Sequence, residues 1–117
     1  MNSKNKLILA IDFDGTIVEG EYPNIGSLKD GAKETINKWY DDGHKIIIWT
    51  CRDGKEVKEA KQFLNENGIK FHTINENAES SDKFNPYPKV FAHLYIDDRG
   101  FRFTDDRYNW EYLSNKI

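Results

Sequence analysis

Carboxylates are concentrated at two places in this chain where an apolar run ends. Residues 7–11 are followed by Asp12 and Asp14, and residues 94–96 are followed by Asp97 and Asp98. Apolar runs of this length, bounded by turn residues, are typical of buried strands in a parallel sheet. In open α/β sheets, ligands bind outside the carboxyl ends of such strands. We therefore expect the four carboxylates to lie at one edge of a sheet, next to a ligand.

The chemistry of these aspartates favours a divalent cation. Four carboxylates at one edge would repel one another unless a cation lay among them. Hard oxygen ligands without surrounding thiol or imidazole groups favour Mg²⁺. Gly15 allows a sharp turn beside Asp14, because glycine adopts positive φ without a steric penalty. The turn would give Asp12 and Asp14 different environments, so that one serves as nucleophile and the other as acid and base.

Strands and helices alternate along the chain. We predict strands at residues 7–12, 45–50, 69–74 and 94–97. We predict one helix with Ser27 as N-cap that ends at residues 41–43, one capped by Asp53 that ends at residues 67–68, and a short C-terminal helix that contains Trp110. This order predicts an α/β fold in which a mostly parallel central sheet is covered on both faces, as a three-layer sandwich.

Length and composition limit the class of protein. With 117 residues and 38% apolar residues, residues 1–117 are expected to form a single folded domain. The net charge of −3 gives no support for nucleic-acid binding by charge. The apolar run at residues 7–11 is too short for a membrane span or a signal peptide, and the single cysteine favours a reducing compartment. We therefore expect a cytoplasmic protein without a membrane partner.

Two residue types with chemical potential receive plain interpretations. Cys51 is predicted to be a small buried side chain at a strand end. The histidines lie at strand starts or within a strand, and we assign none of them a catalytic role: His44, His72 and His93.

The acidic motifs together resemble a known family. The segment Asp12-Phe13-Asp14-Gly15-Thr16 resembles motif I of the haloacid dehalogenase-like hydrolase superfamily. Thr50 is similar to the motif II threonine of that superfamily, and Asp97-Asp98 resembles its motif IV acidic pair. All three motifs fall at predicted strand ends in the family's order, so the resemblance spans most of the chain. It implies a Rossmann-like fold.

The resemblance also implies a reaction, a Mg²⁺-dependent phosphomonoesterase. Asp12 would attack phosphorus and form an aspartyl-phosphate. Asp14 would protonate the leaving oxygen and then activate water. Mg²⁺ would bind Asp12, the backbone carbonyl of Asp14, Asp97 and, directly or through water, Asp98. Thr50 and nearby backbone N–H groups would hold the phosphoryl oxygens. A plainer interpretation makes the aspartates loop caps and turn formers.

The motif III lysine has two candidates, both before the fourth predicted strand. We favour Lys89 as the catalytic and substrate-binding lysine, because it begins the turn that leads into the strand. Lys83 lies inside the loop at residues 75–87 and would need that loop to fold over the site.

Two arginines follow the motifs closely. Arg52 lies two residues after Thr50, near enough to clamp an anionic substrate with both guanidinium donors. Pairing at the surface with Asp53 or Glu56 is the alternative. Arg99 follows the acidic pair and has the same two interpretations.

The chain has little room for a separate cap domain, either between Thr16 and Ser27 or between Thr50 and Lys83. It therefore resembles a capless member, a group that acts on large or exposed phosphorylated groups or uses a neighbouring subunit as lid. Residues 19–25 and 75–87 are candidates for a partial lid. The sequence leaves homo-oligomer formation open, and the phosphorylated substrate too: nucleotides, sugar phosphates and phosphoproteins all fit.

Other functions use the same residue types. A response-regulator receiver is a phosphoacceptor with a parallel sheet, carboxylates, a metal and a lysine, but its acceptor aspartate ends a middle strand, where this chain has Thr50. A non-hydrolytic binder of phosphorylated ligands would have no need of Asp14. A phosphotransferase or phosphomutase would pass the same intermediate to a hydroxyl instead of water.

Overall fold

A parallel sheet forms the centre of the molecule. The computed structural model describes residues 6–20, 22–76, 92–97, 110–115 and 117. Its elements are β1 (Ile8–Asp12), α1 (Ala32–Asp41), β2 (Lys45–Trp49), α2 (Gly54–Glu66), β3 (Thr73–Ile74), β4 (Leu94–Ile96) and α3 (Trp110–Ser114). The strands are hydrogen-bonded in the order β3-β2-β1-β4, and every pairing is parallel. The predicted Rossmann-like α/β fold with a parallel central sheet is confirmed.

The two faces of the sheet have different partners. Alternate residues of the strands, such as Leu9, Ile11 and Ile48, are fully buried in one cluster with side chains from all three described helices. Each Leu or Ile buried in this way contributes about 1.5–3 kcal/mol relative to an exposed side chain. The intervening residues Ala10 and Ile47 belong to a second cluster on the opposite face. The period of two in the strands therefore decides which side chains face the helices.

The first helix starts later than predicted. Ser27 is not an N-cap, because its carbonyl accepts a hydrogen bond from the N–H of Glu19 at 2.8 Å. Val18 also forms an antiparallel bridge with Leu28, so the chain is still extended there. The N-cap of α1 is Gly31, with φ of 85°. Serine favours an N-cap only where tertiary pairing does not claim the backbone first.

The third strand is also shorter than the predicted residues 69–74. The N–H of Ile69 donates to the carbonyl of Leu64 at the end of α2, at 3.0 Å. The N–H of Lys70 donates to the side chain of Asn37 in α1, at 2.7 Å. The N–H groups of Ile69 and Lys70 are thus held by helices. Backbone pairing with β2 begins at His72, directly before β3, whose N–H donates to the carbonyl of Ile46 at 2.9 Å.

The remaining predicted ends agree closely with the structure. Asp53 is the N-cap residue of α2, as predicted, although its side chain makes no capping hydrogen bond. Trp110 of α3 is buried, and its indole N–H donates to the carbonyl of Thr16 at 2.9 Å. Its ring also lies 5.7 Å from that of Trp39. The short C-terminal helix thus fixes the loop that follows β1.

All three histidines serve the opposite edge of the sheet from the aspartates. Each lies just before a strand, and its Nδ1 accepts a backbone N–H from the start of the neighbouring strand. The donors and distances are Leu7 to His44 at 3.0 Å, Ile46 to His72 at 3.0 Å and Ile8 to His93 at 2.8 Å. An imidazole can accept at Nδ1 only when that nitrogen is unprotonated. The histidines therefore have structural contacts at the starts of the strands.

The contact of His44 predicts a dependence of stability on pH. Burial lowers the pKa of His44, and the charge of Lys6 lowers it further against the opposing effect of Asp42. The unfolded chain takes up this proton near pH 6.5, whereas the folded chain resists it, so stability falls as the pH drops through and below 6.5. We expect a lower free energy of unfolding by denaturant at pH 5.5 than at pH 7.5. His44→Asn keeps a hydrogen-bond acceptor but does not titrate, so its free energy of unfolding should fall less between pH 7.5 and pH 5.5. An equal fall in the variant and the wild type would show that His44 is not the group responsible.

Candidate active site

The carboxyl ends of the four strands bring four polar residues to one edge. Asp12 is the last residue of β1, and Thr50, Asn75 and Asp97 directly follow β2, β3 and β4. Asp12 is paired with Trp49, the residue before Thr50. Ile11 is paired with Ile96, the residue before Asp97. Asp12, Thr50 and Asp97 therefore lie at about the same level along the strands. The structure thus brings Asp12, Thr50 and Asp97 together at this edge.

The turn after β1 places Asp14 and supports Asp12. The carbonyl of Phe13 accepts N–H bonds from Thr16, Ile17 and Val18, and Gly15 has φ of 82°. This tight turn needs positive φ at the glycine, as the sequence indicates. It also returns the buried Thr16 to the strand end, where its hydroxyl donates to Oδ2 of Asp12 at 3.3 Å. Asp12 and Asp14 therefore occupy different environments, as the sequence predicts.

Asp14 forms a bidentate ion pair with Arg52. The Nε of Arg52 donates to Oδ2 of Asp14 at 2.8 Å, and Nη2 donates to Oδ1 at 2.7 Å. The Arg52 side chain is fully buried, whereas that of Asp14 is 27% exposed. The guanidinium carbon lies 5.3 Å from the ring centre of Phe13 and 5.1 Å from that of Tyr22. The hydrogen bonds from Arg52 to Asp14 raise the pKa of Arg52, against the lowering effect of burial.

This pair changes the expectations for Arg52. The alternative interpretation, a surface pairing with Asp53 or Glu56, is wrong, because Arg52 is 2% exposed and its acidic partner is Asp14. Its contact with Glu56 goes to the backbone carbonyl, at 3.4 Å. A substrate clamp would require the same donors that now hold Asp14. The burial explains the choice of partner, since a buried guanidinium needs a carboxylate within reach.

Thr50 is held by Asn75, the first residue of the loop predicted at residues 75–87. The N–H of Thr50 donates to Oδ1 of Asn75 at 2.8 Å, and Nδ2 of Asn75 donates to the carbonyl of Thr50 at 2.9 Å. Asn75 has φ of 56°, a conformation that asparagine tolerates better than most residues. The hydroxyl of Thr50 accepts the N–H of Arg52 at 3.1 Å and retains its own proton to donate. The sequence feature that could have indicated this role is an asparagine directly after a strand.

Truncation of Asn75 should measure the value of this clamp. Asn75→Ala removes both hydrogen bonds and places a Cβ-bearing residue without a compensating side chain at positive φ. We expect a loss of about 1–3 kcal/mol in the free energy of unfolding. Asn75→Gly removes the same bonds but relieves the strain, so its loss should be smaller. Denaturant unfolding of both variants measures these losses. A loss in Asn75→Ala below about 0.5 kcal/mol, the range of neutral surface substitutions, would show that the two hydrogen bonds contribute little to stability.

The loop at residues 19–26 brings Tyr22 to the site. Its two ends approach closely at Gly20 and Gly26: a Cβ on Gly26 would lie 2.1 Å from the carbonyl oxygen of Glu19. Only glycine fits there, so the loop can fold back on itself. Tyr22, at its tip, is 56% exposed and faces Arg52. The described part of the predicted partial lid thus borders the site.

A cavity of about 580 Å³ connects these residues. It is lined on its polar side by Asp12, Asp14, Asp97, Thr50, Arg52 and Cys51. Aromatic side chains of Tyr22, Trp49 and Tyr95 line it as well. Cys51 is exposed, so the prediction of a buried cysteine is wrong. The chain turns away from the sheet after β2, which leaves Cys51 at the mouth of the cavity.

The donor set fits Mg²⁺, on the chemistry of its ligands. Among the described residues no three acidic, cysteine or histidine side chains form a group that would hold a metal by themselves. Mg²⁺ usually keeps several waters and binds one or two carboxylates together with substrate phosphate. Asp12 and Asp97, at neighbouring strand ends of one cavity, meet that requirement. The predicted metal contribution of Asp14 was its backbone carbonyl, which the pairing with Arg52 leaves unaffected.

Several predicted residues lie outside the described part of the chain. They are Lys83, Lys89, Asp98 and Arg99, together with most of the loop at residues 75–87. Their roles stay predictions.

Comparisons with known proteins agree with this geometry. The sequence profile of haloacid dehalogenase-like hydrolases matches residues 9–84. A solved structure of a conserved protein from Bacteroides thetaiotaomicron superposes with a TM-score of 0.80 at 32% identity, over 97% of this chain and 93% of that chain. No curated protein matches the sequence. The chain belongs to the haloacid dehalogenase-like hydrolases, and the resemblance noted in its motifs is confirmed.

One further property concerns membranes. No helix in the described ranges is both long enough and apolar enough to cross a bilayer.

Proposed function

We propose that this hydrolase is a Mg²⁺-dependent phosphomonoesterase that works through an aspartyl-phosphate on Asp12. The observation that carries the proposal is the meeting of Asp12, Asp14, Thr50 and Asp97 in one cavity at the carboxyl edge of the sheet. Membership of the family supports hydrolase chemistry in general. The proposal also includes a capless domain, residues 1–117, and a reducing, cytoplasmic setting supported by the single cysteine.

In the first step Asp12 attacks the phosphorus atom. A bond forms between an Asp12 carboxylate oxygen and phosphorus, and the bond to the leaving oxygen breaks. Asp14 donates a proton to that oxygen, so the product leaves as an alcohol. The Thr50 hydroxyl donates to a phosphoryl oxygen, where negative charge must be stabilised. Mg²⁺ bound to Asp12 and Asp97 would neutralise charge on the phosphoryl group.

In the second step water hydrolyses the intermediate. Asp14, now deprotonated, accepts a proton from a water molecule that attacks phosphorus. The bond between phosphorus and Asp12 breaks, and inorganic phosphate leaves with the carboxylate restored. The same residue thus serves as acid and then as base, as reversal of the proton transfer requires.

In this mechanism Arg52 fixes the position of the Asp14 side chain. Both Asp14 oxygens accept hydrogen bonds from Arg52, so the resting pair holds the carboxylate at a fixed place in the cavity wall. For catalysis one of the two bonds must open, and the freed oxygen takes up a proton from solvent, which Asp14 then donates to the leaving group in the first step. Lys89 is proposed to complete the charge neutralisation, with Asp98 as a further metal ligand.

Two alternatives use the same cavity. A phosphotransferase or phosphomutase would pass the phosphoryl group from Asp12 to a hydroxyl, and a phosphoacceptor or phospholigand-binding module would not turn over. The partial exposure of Asp14 at the cavity favours an acid/base and therefore turnover.

A panel of phosphomonoesters, with and without Mg²⁺, tests the proposal. We expect phosphate release that depends on the metal and stops when EDTA is added. Phosphate release that is insensitive to EDTA and to added Mg²⁺ would contradict the metal's role. Phosphoryl transfer to an added alcohol without net phosphate release would favour the transferase.

A further inference from the structure

We propose that the cavity selects phosphomonoesters whose leaving group carries a planar aromatic ring, held by Tyr22, Trp49 and Tyr95. This inference rests on the proposed function, since it names the substrate class of the same site. Its ground is the placement of exposed aromatic surface next to the nucleophile.

The exposed aromatic residues are not scattered over the surface. Among the described residues, the large hydrophobic side chains that are exposed are Tyr22 at 56% and Tyr95 at 39%. Both line the cavity that contains Asp12. Aromatic surface costs free energy when it is left in water, and when it converges on one concave site it marks a binding surface.

The sheet itself builds one wall of this surface. Trp49 is the direct neighbour of Asp12 in β2, and Tyr95 is the neighbour of Ala10 in β4. Side chains two residues apart share a face, so both rings lie on the face of Asp12 and Ala10. The rings of Trp49 and Tyr95 meet edge to face, with centres 5.2 Å apart and planes at 79°.

Ala10 is the residue that makes this arrangement fit. It lies in β1, between the two strands that carry the rings, and has only a methyl group. A larger side chain would fill the space over which Trp49 and Tyr95 meet. The rings are further fixed at Tyr95, whose hydroxyl accepts the N–H of Ala92 at 3.1 Å. A wall fixed in this way is preorganised, so a ligand loses little free energy in ordering it.

Tyr22 comes from a different element and adds a second aromatic surface. It lies on the loop at residues 19–26 and faces the guanidinium of Arg52. A ring that enters the cavity beside Asp12 therefore meets π-surface from the loop and from the sheet. The cavity volume of about 580 Å³ holds a phosphoryl group together with such a ring. Stacking on these walls favours a flat apolar group.

Two matched phosphonates test the inference without turnover. Benzylphosphonate and cyclohexylmethylphosphonate have similar size and charge, but only the first is planar, and neither can be hydrolysed. We expect calorimetry of the whole chain with Mg²⁺ to give about tenfold tighter binding of benzylphosphonate. Tyr95→Leu should reduce that ratio to near one. Tyr22→Leu, which changes an exposed side chain of the loop at residues 19–26, should reduce it in part. Tyr40→Leu, which removes a tyrosine stacked on His72 instead, is the control and should keep the ratio.

Each outcome decides one of the two ideas. Equal binding of the two phosphonates, no binding of benzylphosphonate, or an unchanged ratio in both Tyr95→Leu and Tyr22→Leu would overturn the inference. Ring-selective binding without hydrolysis of benzyl phosphate would keep the inference and contradict the proposed phosphatase. Hydrolysis of benzyl and cyclohexylmethyl phosphate with equal kcat/KM would support the proposed phosphatase and contradict the selection of an aromatic ring.

Discussion

Asp12→Asn is expected to lower phosphate release by about a thousandfold or more while the protein remains folded. The amide has the shape of the carboxylate but is a poor nucleophile, so no aspartyl-phosphate forms. The side chain can still accept the hydrogen bond from the Thr16 hydroxyl, which explains why the fold should survive. The measurement is steady-state phosphate release at saturating Mg²⁺, with unfolding by denaturant to confirm the fold.

The matched control is Asp41→Asn. Asp41 lies at the end of α1, where its exposed side chain pairs with Lys70 far from the cavity. Exposed pairs of this kind contribute about 0–1 kcal/mol, so activity and stability should hardly change. Near wild-type activity in Asp12→Asn would show that the nucleophile is assigned to the wrong residue.

Arg52→Met is expected to destabilise the protein by about 3 kcal/mol. The substitution keeps much of the packing against Phe13 and Tyr22 but leaves the Asp14 carboxylate without its partner. Removal of one member of a buried ion pair is costly because the remaining charge is no longer compensated, and the 27% exposure of Asp14 places the loss at the lower end. Denaturant unfolding at pH 7 measures it.

A double-mutant cycle separates the ion pair from packing. Asp14→Asn in the Arg52→Met background removes the uncompensated charge, so the double variant should be more stable than Arg52→Met alone. Equal instability of the single and double variants would assign the loss to packing, and the positioning role of Arg52 would then have no energetic support.

The sheet and the edge that carries the candidate site could be predicted from the sequence because both depend on local patterns. Apolar runs of fixed length place Asp12 and Asp97 at strand ends, and parallel pairing brings those ends together whatever the details of the helices. The turn at Gly15 follows from the backbone freedom of glycine in the same way. These features need no knowledge of distant contacts.

The parts that escaped prediction depend on contacts between segments remote in sequence. Arg52 reaches Asp14, which is 38 residues away in the chain, and Asn75 reaches Thr50 across 25 residues. Serine is a favoured N-cap residue, but the backbone of Ser27 is hydrogen-bonded to Glu19, so the helix does not begin there. The short β3 has the same origin, since a side chain of α1 claims the N–H of Lys70. Contacts between segments that are remote in the chain produce no periodic pattern in the sequence, so they could not be predicted from it.

The most direct test of the account is to locate the covalent intermediate. Asp14→Asn lacks both the acid for the first step and the base for the second, so the substrate must have a leaving group that needs no proton. Incubation with 4-nitrophenyl phosphate and Mg²⁺ should then leave a phosphoryl group on Asp12. Rapid quenching and peptide mass spectrometry should find it in the peptide that contains Asp12, and not in the Asp12→Asn/Asp14→Asn double variant. A phosphoryl group on another residue, or wild-type turnover in a protein that carries Asp12→Asn, would contradict the central claim.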